Sequence, residues 1–178
     1  SLVVAPMPAS EDDDDDDRVT MTTIHVIVVD DSPIIRRMLI RTIKNAGGKI
    51  KEMCPFFEEF ATAEAAQPRL EELKDEPNSL VTVDHNMEAL GGVMKGGELI
   101  EWLVEKSFKG AIVSVTGDPE ESAAHLRLGA ACAWGKPIPK AAVEEALSYF
   151  ASELWHCATR EGPAPSAPSS PGVIGAKL

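Results

Sequence analysis

The residues of this chain whose types suit a single chemistry are an adjacent pair, Asp30 and Asp31, a lone Asp84, Thr116 with Gly117, and Lys136 with Pro137. That chemistry is the handling of a phosphoryl group. Two carboxylates leaving a buried strand are costly unless a cation or hydrogen-bond donors compensate them. A hard divalent ion such as Mg²⁺, which keeps several waters and shares its shell with a phosphate, is their natural partner. The blander reading is that one of the pair caps the helix that follows. A carboxylate at Asp84 can attack phosphorus and form an acyl phosphate if a metal and a fixed cation neutralise the phosphoryl oxygens. Asp30, Asp31 and Lys136 offer both. Thr116 adds a hydroxyl donor, Gly117 leaves room beside it, and the Lys136 ammonium is a mobile point charge suited to phosphate. Pro137 is a position where a cis bond would aim that lysine.

Each of these groups stands at or just beyond the end of a short β-branched or small apolar run. The runs cover 24–29 before the acidic pair, 80–83 before Asp84, 111–115 before Thr116, and 131–135 before Lys136. Strands buried on both faces read this way. Helical spacing between them gives a βαβαβαβαβα pattern, hence right-handed crossovers on a parallel sheet. Sites in such sheets gather outside the carboxyl ends of the strands, so the clusters converge. After Asp31, Ser32 caps a helix that opens on Pro33 and stops at Gly47-Gly48. Its expected core stripe is Ile35, Met38, Leu39, Thr42, Ile43 and Ala46.

The 178 residues suffice for one domain with a sizeable core. Residues 1–20 carry Glu11 and six consecutive aspartates, a self-repelling block expected to be a disordered acidic tail. Residues 159–178, rich in Pro, Ser, Ala and Gly, read as a flexible extension. The folded domain is expected over 21–158, and Met21 is where an alternative start would fall. The net charge is −12, but the acidic block supplies seven of the 29 acidic residues, and 21–158 holds 21 acidic against 14 basic ones. Nucleic acid is therefore a poor partner. No apolar run approaches the length of a membrane span, so no membrane partner is expected. Cys54, Cys132 and Cys157 show no paired or zinc-like spacing and read as reduced thiols of a cytosolic or nuclear protein. His25, His125 and His156 show no grouping and read as structural or surface residues, and His85 as a loop residue at the mouth of the site. Trp102 and Trp155 fall on helical stripes and read as packing residues.

Taken together, Val28-Val29-Asp30-Asp31-Ser32, Val83-Asp84-His85-Asn86-Met87, Met94-Lys95-Gly96-Gly97-Glu98-Leu99, Val115-Thr116-Gly117, Leu128-Gly129-Ala130 and Gly135-Lys136-Pro137-Ile138 resemble the receiver domain of two-component response regulators. The resemblance covers roughly 22–158. It implies a doubly wound, flavodoxin-like α/β fold with a five-stranded parallel sheet of order 2-1-3-4-5. It further implies that Asp84 accepts a phosphoryl group from a histidine of a sensor kinase or phosphotransfer protein and signals to a downstream protein. By the same match Asp31 and Asp84 would ligate Mg²⁺ directly, Asp30 directly or through water, and Asn86 through its backbone carbonyl. Lys136 and Thr116 would contact the phosphoryl oxygens, Asn86 and Asp118 would tune hydrolysis, and the first helix with nearby loops would meet the partner. Such a protein catalyses its own phosphorylation and dephosphorylation but is not a classical enzyme.

The chain departs from the family pattern in four places. Glu88 stands where receivers carry a proline, and about four extra residues around Leu90-Gly91-Gly92-Val93 lengthen the following loop. Ala133 replaces a switching Tyr or Phe, with Trp134 expected on the opposite side of its strand. The segment 54–73 is interrupted by Pro55 and Pro68, so the second strand and helix carry the weakest local signal of the ten elements. Two other functions fit parts of the pattern. A receiver-like module that binds partners without phosphate suits the missing aromatic. An aspartate-nucleophile phosphatase would need an acid two residues past its nucleophile, where Asp31 is followed at that spacing by Pro33.

Overall fold

The computed structural model describes residues 22–50, 53–88 and 90–159, with Thr22 and residues 153–159 described by backbone alone. The expected tails lie outside the described residues, apart from Thr159. Five strands, β1 (Thr22–Val29), β2 (Met53–Phe60), β3 (Ser79–Asp84), β4 (Ala111–Val115) and β5 (Cys132–Trp134), alternate with five helices. The helices are α1 (Pro33–Gly47), α2 (Ala63–Glu72), α3 (Gly96–Glu105), α4 (Pro119–Leu128) and α5 (Lys140–Thr159). All four strand pairings are parallel and the order is β2-β1-β3-β4-β5, as expected.

Alternation along the strands divides the core into two layers. Ile24, Val26 and Val28 of β1 join Leu39, Ile43 and Ala46 of α1 and Val143 and Leu147 of α5 on one face. Ile27 and Val29 join Ala63, Ala66 and Leu70 of α2 and Leu99, Ile100 and Leu103 of α3 on the other. Apolar runs rather than alternating ones are the consequence, because both faces of the sheet are covered.

Trp134 packs on the α1/α5 side and is 1% exposed, so it does turn away from Ala133's face of β5. Met38, expected in the α1 stripe, is instead 46% exposed. It sits one position before Leu39, and the buried face of α1 is set by Leu39, Ile43, Ala46 and Gly47, which leaves Met38 at its solvent margin.

The interrupted segment forms both expected elements, β2 and α2, despite its prolines. β2 is an edge strand paired with β1 only, so Pro55 costs no bond across a second neighbour. Pro68 lies inside α2 and deprives the Glu64 carbonyl of its helical donor. The helix persists because Thr62 caps its start, accepting from Ala65 N–H at 3.3 Å, and because Ala63, Ala66 and Leu70 are fully buried.

Candidate phosphoryl-acceptor site

β1 and β3 are adjacent, and Val29 pairs with Val83, so Asp30 and Asp84 leave neighbouring strands at the same level. Asp84 pairs with Val115, which sets Thr116 one residue beyond it on β4. Val115 in turn pairs with Trp134, two residues before Lys136. The register of three strand pairs thus carries all four groups to one edge of the sheet. Thr116 is held there by its own N–H, which donates to the Trp134 carbonyl at 3.1 Å.

Lys136 Nζ donates to Asp84 Oδ1 at 2.7 Å and to Asp30 Oδ2 at 3.0 Å. The Lys136–Pro137 peptide bond is cis. Asp30 and Asp84 are 1% and 7% exposed. With Asp31 they form a carboxylate cluster in which one oxygen from each lies within 4.8 Å of the others. Burial, and then the Asp84 charge, push the Asp30 carboxyl above its ordinary range, against the pull of Lys136. Burial draws the Lys136 ammonium down, yet its bonds to Asp84 and Asp30 outweigh this and its net shift is upward.

Asp30 also accepts from Ser32 N–H at 2.8 Å through Oδ1, while Ser32 Oγ caps α1 from Ile35 N–H. The turn that could have been the pair's whole purpose therefore uses only one oxygen of Asp30. Arg36 of α1 donates to the Asp30 carbonyl at 2.7 Å and to Glu59 of β2 at 3.2 Å, fixing the helix over the loop. Sequence reading missed this clamp, which only the β1–β2 pairing reveals.

Thr116 is 6% exposed and its Oγ1 accepts from Asp118 N–H at 3.2 Å. Asp118 caps α4, accepting from Glu120 N–H at 2.8 Å. Asn86 is exposed in the loop after β3. The lengthened part of that loop is tied to α2 by Glu64, whose Oε1 accepts from both Val93 and Met94 N–H at 2.8 Å.

His125 departs from the expectation of no grouping, because it meets His85. His125 of α4 is 1% exposed, its Nδ1 lies 2.7 Å from Ser114 Oγ, and its Nε2 lies 3.3 Å from His85 Nδ1. The Ser114 side chain, alternating with Val113 and Val115, points to the α4 face, and α4 brings His125 to meet it. Their separation in sequence hid the contact.

Cys54 and Cys132 are free, and burial pushes the Cys132 thiol up to about 11. Among the described residues no helix is long and apolar enough to cross a membrane.

No model of a protein family matches the chain, and no curated protein does. Solved structures do. The receiver domain of NtrX from Brucella abortus is 18% identical, with a TM-score of 0.58 over 71% of this chain and 98% of that one. The chemotaxis protein CheY4 of Vibrio cholerae is 22% identical, with a TM-score of 0.56 over 72% of this chain and 99% of its own. A signal receiver domain of a DNA-binding response regulator from Colwellia psychrerythraea is 16% identical, with a TM-score of 0.59 over 72% and 98%. With its strand order and alternating helices, the chain has the flavodoxin-like fold of response-regulator receiver domains.

Proposed function

We propose that the chain is a single-domain response regulator whose Asp84 accepts a phosphoryl group from a phosphohistidine of a sensor kinase or phosphotransfer protein. The observation that carries this reading is the Lys136 ammonium lying between Asp84 and Asp30 at the carboxyl edge of the sheet, with Asp31 beside them. In the transfer, an Asp84 carboxylate oxygen bonds to phosphorus as the phosphorus–nitrogen bond of the donor breaks. The imidazole leaves with its electron pair and takes a proton from solvent. Lys136 Nζ, already 2.7 Å from the nucleophile, offers its protons to the phosphoryl oxygens as their charge is relocated. Thr116 supplies a hydroxyl from the adjacent strand. The buried surroundings of Asp84 limit competing water until hydrolysis returns the free carboxylate.

The carboxylate cluster fits Mg²⁺. Asp30 and Asp84 are buried with one ammonium between them, and burial and then the Asp84 charge raise the Asp30 carboxyl, so a hard divalent cation would complete the charge balance. Asp31, Asp84 and Asp30 would hold it with the Asn86 carbonyl, and it would neutralise charge on the phosphoryl group. The proposed setting is the cytosol or nucleus, with a downstream protein as the target.

One observation favours the phosphate-independent interaction module: Ala133 leaves its face of β5 without an aromatic side chain. Incubation of the full chain with Mg²⁺ and a small acyl phosphodonor, read by intact mass, separates the two. A single phosphoryl adduct that requires Mg²⁺ supports the acceptor. No adduct from a folded chain that still binds Mg²⁺ overturns it in favour of the module.

A further inference from the structure

A second group of ligating side chains lies beside the carboxylate cluster. His85 follows Asp84 directly, and Glu121 and His125 stand one turn apart on α4. His85 Nδ1 is 3.3 Å from His125 Nε2 and 3.2 Å from Glu121 Oε2, and one ligand atom from each residue lies within 4.8 Å of the other two.

Proton accounting leaves these three atoms short of donors. If His125 Nδ1–H donates to Ser114 Oγ, its Nε2 carries a lone pair, and the one proton on His85 Nδ1 faces both Nε2 and the Glu121 carboxylate. If Ser114 donates instead, His125 Nε2–H points at His85 Nδ1, whose lone pair then abuts Glu121. Either way three ligand atoms share one proton. A divalent cation accepts all three lone pairs at once.

The spacing suits such an ion. Ligands around a tetrahedral centre with bonds of ~2.0–2.1 Å stand about 3.3 Å apart, and the two contacts on His85 Nδ1 measure 3.3 and 3.2 Å. Ser114, 2.7 Å from the far nitrogen of His125, is the outer partner that orients a ligating imidazole. His125 is fixed in the interior, whereas the His85 and Glu121 side chains, 19% and 36% exposed, leave a route from solvent. Two imidazoles and one carboxylate select a borderline ion rather than Mg²⁺.

We propose that His85, Glu121 and His125 form a binding site for a zinc-type divalent cation, with a fourth position open to solvent, that ties α4 to the loop following Asp84. The site does not depend on whether Asp84 accepts phosphate.

The test is calorimetric titration of the full chain with Zn²⁺ in a saturating excess of Mg²⁺, which occupies the carboxylate cluster. Co²⁺ serves as a spectroscopic probe. The expected result is one equivalent of tightly bound Zn²⁺ and a visible Co²⁺ spectrum of a four-coordinate ion without thiolate bands. Both His85→Gln and Glu121→Gln, at partly exposed positions, should keep the native circular dichroism and weaken Zn²⁺ by about tenfold or more. Absence of Zn²⁺ binding under Mg²⁺, or binding unchanged in both variants, would overturn the proposal.

Discussion

The Lys136 ammonium is the residue on which the charge balance of the site turns. Replacing it with methionine leaves Asp30 and Asp84 buried and facing one another, so the metal-free protein should lose about 1.5–3 kcal/mol, the worth of hydrogen bonds to charged groups. Denaturant melts of Lys136→Met check this, and a phosphodonor time course should show acceptance slowed about 100-fold, as when one donor to developing charge is removed. Asp30 works in the opposite direction. Its folded-state pKa is raised above the ordinary value of about 3.9, so its stability contribution is fully present below that value and is lost as pH rises through the folded one. Asp30→Asn removes a charge that the fold pays to bury. Without Mg²⁺ at pH 7 the variant should melt about 2–4 °C higher, the shift ~1 kcal/mol produces in a domain of this size. The difference should vanish at acid pH, and a variant that melts lower at pH 7 would contradict this assignment of the burial cost.

At the scale of elements, the closest constraint on Asp84 is the start of α3. A Cβ on Gly96 would stand 2.1 Å from the Asp84 carbonyl oxygen, and Gly96 N–H donates to the His85 carbonyl at 2.9 Å. Gly96→Ala must therefore displace either α3 or the end of β3, at a cost of about 1–3 kcal/mol. Its effect on phosphoryl acceptance should exceed that of Leu103→Ala. The leucine change opens a core cavity costing about 2–5 kcal/mol but lies at the far end of α3 from Asp84. Parallel melts and adduct yields of the two variants, measured well below both melting temperatures, compare local displacement with general destabilisation. The glycines were visible in the sequence, but the backbone they press on was not, because that contact is made by a crossover. β2 and α2 were expected but only weakly marked, for a different reason. Proline preferences are local, and the edge position of β2 and the buried face of α2 are tertiary facts that override them. Apolar runs at 24–29, 80–83 and 111–115 were legible because a strand covered on both sides has no polar face to confuse the pattern.

For the whole molecule, four strand ends brought to one edge, those of β1, β3, β4 and β5, make a site from residues as distant as Asp30 and Lys136. That convergence was readable because a parallel sheet leaves little choice of where its ligands gather. The His85–Glu121–His125 group was not, because it depends on how α4 is rotated against β4. Mg²⁺ held by the carboxylates should stabilise the fold by ~2.7 kcal/mol at a hundredfold excess over its Kd. Thermal melts with and without Mg²⁺ should show that gain in the native chain and lose most of it in Asp31→Asn. The most direct measurement is chemical trapping. The full chain is phosphorylated with Mg²⁺ and a small acyl phosphodonor, reduced with borohydride, which converts an aspartyl phosphate to homoserine, and sequenced by tandem mass spectrometry. Homoserine at position 84, dependent on both donor and Mg²⁺, is the predicted result. Reduction at another aspartate, or none in a folded, Mg²⁺-binding chain, would contradict the account.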